Sequence, residues 1–305
     1  MSVKTIKNNI VCFGEILWDV LPAGVMPGGA PMNVAYHLKK LKREPKLITR
    51  VGHDEWGKEL IQLMEKNEIS TDYFQIDYDL GTGKVIANVF DSSNVTYDII
   101  APVAWDQIQW DNSFEGLVAD CDYFVFGSLA TRNQKSRQTL YGLLELAKTK
   151  VLDINLRPPF FNRQIVEELL TRTDVLKLND NELEFITGWF SPYESEDDRI
   201  RVLQDQFNIV TIVVTKGEKG CTVVNNGSIH KHNGFAVKVA DTIGSGDAFL
   251  AGFLSCQLSG HSLPSSLEYA NALGALIATY NGACPDYAEH EIHQLISKKL
   301  KDIQV

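Results

Sequence analysis

The chain is poor in positive charge. Its 305 residues carry 29 lysines and arginines against 39 aspartates and glutamates, a formal charge of −10. Sequence-independent binding to nucleic acid or to an anionic membrane needs basic surface, so neither partner is expected. Any anionic ligand would have to be met by local donors. No apolar run is long enough to cross a bilayer. The polar segment Met1–Asn9 leads straight into Ile10-Val11-Cys12-Phe13, without the apolar core and small-residue cleavage site of a secretory leader. A soluble, cytoplasmic protein is expected. The cysteines, Cys12, Cys121, Cys221, Cys256 and Cys284, are odd in number, scattered and free of any CxxC pair. They read as buried free thiols in a reducing compartment, not as a disulfide frame.

Familiar cofactor motifs are also missing. Gly81-Thr82-Gly83-Lys84 has Val85 where a P-loop needs Ser or Thr, and Tyr78 where it needs its first glycine. Gly244-Ser245-Gly246 has Phe249 at the third glycine of a dinucleotide fingerprint. His290-Glu291-Ile292-His293 is misspaced for a zinc protease, and His230 with His232 reads as a solvated strand face. There is no repeat, low-complexity tract or linker. With 44% hydrophobic residues the chain can bury a large core, and one large domain with an appendage fits its length.

What is present alternates. Runs at Ile10–Phe13, Lys46–Val51, Tyr123–Phe126, Val151–Ile154, Val175–Leu178 and Ile209–Thr215 read as strands, with helical segments such as Val34–Leu41, Lys58–Lys66, Ser136–Ala147, Arg163–Leu170, Asn181–Thr187 and Arg199–Phe207 among them. That order predicts an α/β fold, a mainly parallel sheet with helices on both faces. Asn225-Asn226-Gly227 marks a late hairpin, and Ser265–Tyr280 and Glu289–Lys299 close the chain as helices. Two β-rich runs, Val85–Phe90 and Val95–Ile100, flank the turn cluster 91–94. Tyr97 and Trp105 nearby offer ring faces to a ligand, although core or dimer packing is the commoner fate of such residues.

The densest local chemistry lies in Asp241-Thr242-Ile243-Gly244-Ser245-Gly246-Asp247, followed by the apolar run Ala248–Leu254. Glycines on either side of Ser245 let successive N–H groups converge at a helix N-terminus, where an anion is favoured. Asp247 at its mouth can take a proton from a hydroxyl. Taken locally, the same residues serve equally as a helix cap. Four other strings carry the same ambiguity. Gly28-Gly29-Ala30-Pro31-Met32-Asn33 allows close backbone approach and offers an amide to a polyol, or is a turn before a helix. Asp153-Ile154-Asn155-Leu156-Arg157 leaves a strand end with groups suited to hydroxyls and a phosphoryl, or holds a salt bridge. Lys177-Leu178-Asn179-Asp180-Asn181-Glu182 holds metal-compatible oxygens or a charged first helical turn. Thr215-Lys216-Gly217-Glu218-Lys219-Gly220 is a glycine turn after a strand.

As a set, these strings resemble the signatures of the ribokinase-like (PfkB) sugar kinases. GGAPxNVA falls at 28–35, VGxDxxG at 51–57, NxxE at 179–182, TxGxxG at 215–220 and DTxGxGD at 241–247, while DxNxRPP at 153–159 resembles the fructokinase branch. The resemblance runs from Gly14-Glu15 to Gly282-Ala283. It implies a ribokinase-like kinase domain over 1–305 with a small β lid drawn from segments within about 15–32 and 71–105. The activity implied is transfer of the γ-phosphoryl group of ATP, with Mg²⁺, to a sugar hydroxyl, for fructose the one at carbon 6. Asp19, Gly28, Gly29, Asn33 and Asn155 would hold the sugar. Arg157 and the turn Gly244, Ser245, Gly246 would stabilise the transferring group, with Asp247 as base. Lys177, Asn179, Thr215, Gly217 and Gly220 would lie along the nucleotide and Asn271 at adenine. Glu182 would place Mg²⁺ through water, and Asp241 and Ile243 would border a monovalent cation such as K⁺. A homodimer through the lid is left open. Two other readings stay open: a 2-keto-3-deoxygluconate kinase, whose acidic substrate needs an added cation for which the lid offers only Lys84, and a sensor that binds sugar or nucleotide without turnover.

Overall fold

The computed structural model describes residues 9–22, 24–91 and 94–303, with side chains described outside 88–97 and 299–303. Its organising strand is β1 (Ile10–Phe13). Ile10 and Cys12 pack into one apolar core, Val11 and Phe13 into another, as the two-residue period of a strand requires when both faces are covered. After β1 come β2 (Leu17–Leu21), β3 (Gly24–Gly28), α1 (Ala30–Lys40), β4 (Lys46–Gly52), α2 (Glu55–Lys66), β5 (Phe74–Asp77), β6 (Gly83–Asp91) and β7 (Asn94–Ile99). The middle of the chain forms α3 (Ser113–Asp120), β8 (Tyr123–Gly127), α4 (Gln134–Leu144), β9 (Lys150–Asp153), α5 (Arg163–Thr171), β10 (Val175–Asn179), α6 (Asp180–Thr187) and α7 (Glu196–Phe207). It ends with β11 (Thr211–Thr215), β12 (Cys221–Asn225), β13 (Ser228–His232), α8 (Ser245–Leu258), α9 (Leu263–Ile277) and α10 (Glu289–Ile303).

Nine strands form one sheet in the order β13-β12-β11-β10-β9-β8-β1-β4-β5, parallel except for the pairs that β12 makes with β11 and β13. One core lies under α1, α2, α8, α9 and α10, the other under α3 to α7. The expected α/β class and its two helical layers are therefore present. From β1 the chain steps outward through β4 and β5, then returns to β8 on the other side of β1. The reversal falls between β1 and β8, and the crevice beyond the carboxyl ends of strands at such a point is where open α/β sheets bind ligands.

Four strands, β3-β2-β6-β7, form a second, smaller sheet. The Pro- and Gly-rich stretch 22–31 supplies one of them, β3, which pairs antiparallel along its whole length with β2 just before it. Helix α1 starts at Ala30, four residues before the apolar periodicity begins. Pro31 in its first turn costs no hydrogen bond there, since that N–H has no intrahelical acceptor. The short strand β5 and helix α3 lacked enough periodic residues to be read from sequence. Residues 92 and 93 of the turn cluster lie outside the described residues.

Candidate active site

Helix α8 is apolar on all sides over most of its length, which fits a helix buried between sheet and neighbours. Its exception is Asp247 in the first turn, 9% exposed. Gly244 caps the helix in the left-handed region, φ 76°, and a Cβ there would lie 2.6 Å from Ala283 Cα, so glycine is required by backbone and by space. Asp241 Oδ1 accepts from the Ile243 N–H at 3.0 Å and its Oδ2 from the Gly282 N–H at 3.1 Å, tying the turn to the 282–284 loop. His37 of α1 anchors that loop through Nε2 and the Ala283 carbonyl, 2.9 Å apart. Burial lowers its pKa to about 4, so the ring stays neutral.

Asn33, one turn into α1, donates from Nδ2 to Asp247 Oδ2 at 2.8 Å and joins the two glycine-led helix starts across the sequence. Asp19 on β2 lies beside Gly28, where any Cβ would run into Asp19 Oδ2; a Cβ on Gly29, φ 114°, would strike the Glu15 carbonyl. Asn155 follows β9 in the left-handed region, φ 39°, and Arg157 two residues on is exposed. The guanidinium of Arg157 is close enough to lower the pKa of Asp247, Asp19 and Glu15. The sugar-site residues read from sequence and the proposed base thus converge at the edge of β1 and β9.

Beneath the turn lies a pair that the sequence only hinted at. Lys177 on β10 is buried and its Nζ is 2.7 Å from Asp153 Oδ2. A Cβ on Gly246 would stand 2.9 Å from that ammonium, so Lys177 supports the helix start from below instead of lining an open nucleotide groove. Burial works against the lysine's charge, but Asp153 and Asp247 outweigh it and raise its pKa. Burial is also the main reason the Asp247 pKa rises to about 6, with Asp153 adding to it and Lys177, the Asn33 amide and Arg157 opposing. Asp19 is raised to about 6 and Glu15 to about 7, burial leading in both. Glu15 Oε2, Asp153 Oδ1 and Ser245 Oγ are buried without a partner among the described residues.

Other expectations need correction. Trp105 is fully buried, its ring packed against Gly83 and under Arg132, so it offers no face to a ligand. The Tyr97 side chain lies outside the described residues. Asn271 is buried in α9 with Nδ2 donating to the Leu267 carbonyl and Cys221 Sγ. Glu182 uses both oxygens locally, accepting from the N–H groups of Leu156 at 2.8 Å and Asn179 at 2.9 Å. Asn179 completes a reciprocal cap with it. Thr215 ends β11 one strand further out, and Gly217 and Gly220 follow in left-handed turns with φ 54° and 81°. Lys84 lies over the Trp56 ring, 4.3 Å from its centroid. It pairs with Trp18, whereas Asp19 pairs with Val85, so Lys84 and Asp19 occupy opposite faces of the small sheet.

An anion-binding helix start, a buried carboxylate at its mouth and a second glycine-led helix carrying an amide form the chemistry of phosphoryl transfer to a hydroxyl. Residues 9–290 match the family described as pfkB family carbohydrate kinase, and the chain belongs to that family. Among individual proteins, it is 29% identical to a probable fructokinase-7 of Arabidopsis thaliana, the alignment covering 93% of this chain and 91% of that one. A fructokinase with bound ATP from Xylella fastidiosa superposes with a TM-score of 0.86 at 22% identity, covering 96% and 99% of the two chains. A double mutant of the Vibrio cholerae fructokinase in a fructose, ADP and potassium ion bound form gives 0.81 at 24%, covering 95% and 98%.

Proposed function

We propose that the chain is an ATP-dependent fructokinase that phosphorylates the carbon-6 hydroxyl of D-fructose, with Asp247 as its general base. One observation carries this reading. Asp247 is buried at the start of α8, aligned by Asn33 from the glycine-led start of α1 and set above the Lys177–Asp153 pair. A hydroxyl resting between Asp247 and the 244–246 turn would give its proton to the carboxylate as its oxygen attacks the γ-phosphorus. The turn's N–H groups, with Arg157, would meet the charge on the transferring oxygens; that of Ser245 also donates to the Thr242 carbonyl at 3.3 Å. Asp19, Asn33 and Asn155 orient the sugar, and the small sheet β3-β2-β6-β7 acts as the lid that excludes water as a rival acceptor.

The donor set suits Mg²⁺. Asp153 Oδ1 is buried without a partner among the described residues, and Glu182, whose two oxygens accept from the Leu156 and Asn179 N–H groups, would act on a hard cation through water. When bound, Mg²⁺ would neutralise phosphate charge. Asp241, joined to Ile243 and Gly282, would border a K⁺ ion through the carbonyls of those loops. For a 2-keto-3-deoxygluconate kinase the acidic substrate needs a cation beyond Arg157 on the Asp19 face, and Lys84, the only basic residue of the small sheet's strands, is on the other. That favours a neutral sugar.

The test is ATP-dependent ADP release with Mg²⁺ and K⁺ against fructose, ribose, 2-keto-3-deoxygluconate, adenosine and a blank. Selective turnover of fructose is expected. Selective turnover of another acceptor would replace the substrate, and silence from folded, ATP-binding protein would overturn the kinase reading in favour of a sensor.

A further inference from the structure

Arg132, in the turn after β8, is the most heavily engaged charged side chain outside the site just described. It is 5% exposed. Nε donates to Asp106 Oδ1 at 2.7 Å, and Nη2 donates both to Asp106 Oδ2 at 2.8 Å and to the Ile100 carbonyl at 2.7 Å. The guanidinium lies over two rings, its Cζ 3.9 Å from the Trp105 centroid and 4.7 Å from that of Phe160. Nη1 has no partner among the described residues.

The partners come from two segments far apart in sequence. Ile100 is the residue through which β7 leaves the small sheet, Asp106 and Trp105 follow it, and Trp105 packs under Gly83 at the start of β6. These are the roots of β6 and β7, two of the four lid strands. Phe160, half-buried, belongs to the loop that carries Arg157, and its N–H donates to the Arg157 carbonyl at 2.8 Å. A planar cation can grip a carboxylate through its edge and aromatic rings through its faces at once, which lysine cannot do.

We propose that Arg132 is a positioning residue that couples the base of the lid to the Arg157 loop, so that Arg157 is held in its working place when the lid strands are seated. The proposal rests on the reading that Arg157 acts in turnover. Phe160 is the link that can be cut without touching the buried Arg132–Asp106 pair, whose loss endangers the fold itself.

The experiment is a double-mutant cycle on the full chain, measuring kcat, KM for fructose and ATP, and melting temperature for Phe160→Ala, Phe160→Tyr, Arg157→Ala and the Phe160→Ala/Arg157→Ala pair. Phe160→Ala is expected to lower kcat about tenfold with KM for ATP within about twofold, and Phe160→Tyr to restore most of it, since the ring face is kept. In the Arg157→Ala background, removing the ring should change kcat less than twofold, because Phe160 acts only through Arg157. Independent, multiplying losses would sink the coupling while leaving Arg157 in its role. A Phe160→Ala variant that melts earlier but turns over normally would reduce Arg132 to a structural part. Normal kcat in Arg157→Ala would overturn both the role of Arg157 and the coupling built on it.

Discussion

As the proposed base, Asp247 has two requirements that oppose each other. Burial keeps water from the reacting hydroxyl, yet burial penalises the ionised form that the base needs. The compromise is a pKa raised to about 6, with Lys177, the Asn33 amide and Arg157 limiting the rise that burial and Asp153 cause. An acceptor of protons must be ionised to act, so kcat/KM should fall as pH drops through about 6, at a slope of one or more because Asp19 and Glu15 titrate in the same window. Asp19→Asn should raise the KM for sugar and leave an acid limb in kcat, since it removes a sugar contact and not the base; a pH-independent kcat in that variant would reassign the proton acceptor. A carboxyl with a native pKa above its unfolded value holds its proton more tightly in the folded state. Its contribution therefore favours the fold below about pH 4 and is lost as pH rises through about 6.

At the scale of elements, the small sheet is fastened to α1 through two adjacent glycines whose demands differ. A methyl on Gly28 meets the end of a side chain, Asp19, whereas one on Gly29 meets the Glu15 backbone in a conformation that L-residues avoid. Gly28→Ala should mainly raise the KM for sugar, with stability changed by less than about 1 kcal/mol, because a displaced carboxylate can still reach water. Gly29→Ala should cost about 2 kcal/mol or more of stability, as strain and clash add. Equal melting shifts in the two variants would contradict this distinction. The strings around 28–33 and 241–247 were legible because each combines an unusual backbone need with a functional side chain. The strands that hold them were not, because a Pro- and Gly-rich segment such as 22–31 becomes β3 only when β2 is there to pair with it.

At the scale of the molecule, the sheet explains why residues distant in sequence act together. Reversal of strand order falls between β1 and β8, and the residues just beyond the ends of β1 and β9 bring Glu15, Asn155 and Arg157 to that edge of the sheet, with Lys177 of β10 buried beneath. Alternation of strands and helices made this architecture readable in advance, since both faces of β1 had to be covered. Depth was only partly readable. Local pattern offered core packing for Trp105 and a salt bridge at Asp153 as alternatives without naming partners; that Lys177 meets Asp153 below Gly246 and that Asn271 turns inward to Cys221 follow from packing between elements. Among the described residues no helix is long and apolar enough to cross a membrane.

The central claim is that a buried aspartate at an anion-binding helix start takes the proton from a sugar hydroxyl. Its most direct test is kcat of Asp247→Asn at pH 7.5 on protein whose fructose and ATP affinities and melting temperature are measured alongside. Asparagine keeps an oxygen to accept from Asn33 but cannot take a proton, so kcat should fall by about a thousandfold or more with both affinities within a fewfold. Melting temperature should rise, because a buried charge has been removed. A variant that keeps near-normal kcat would contradict the account.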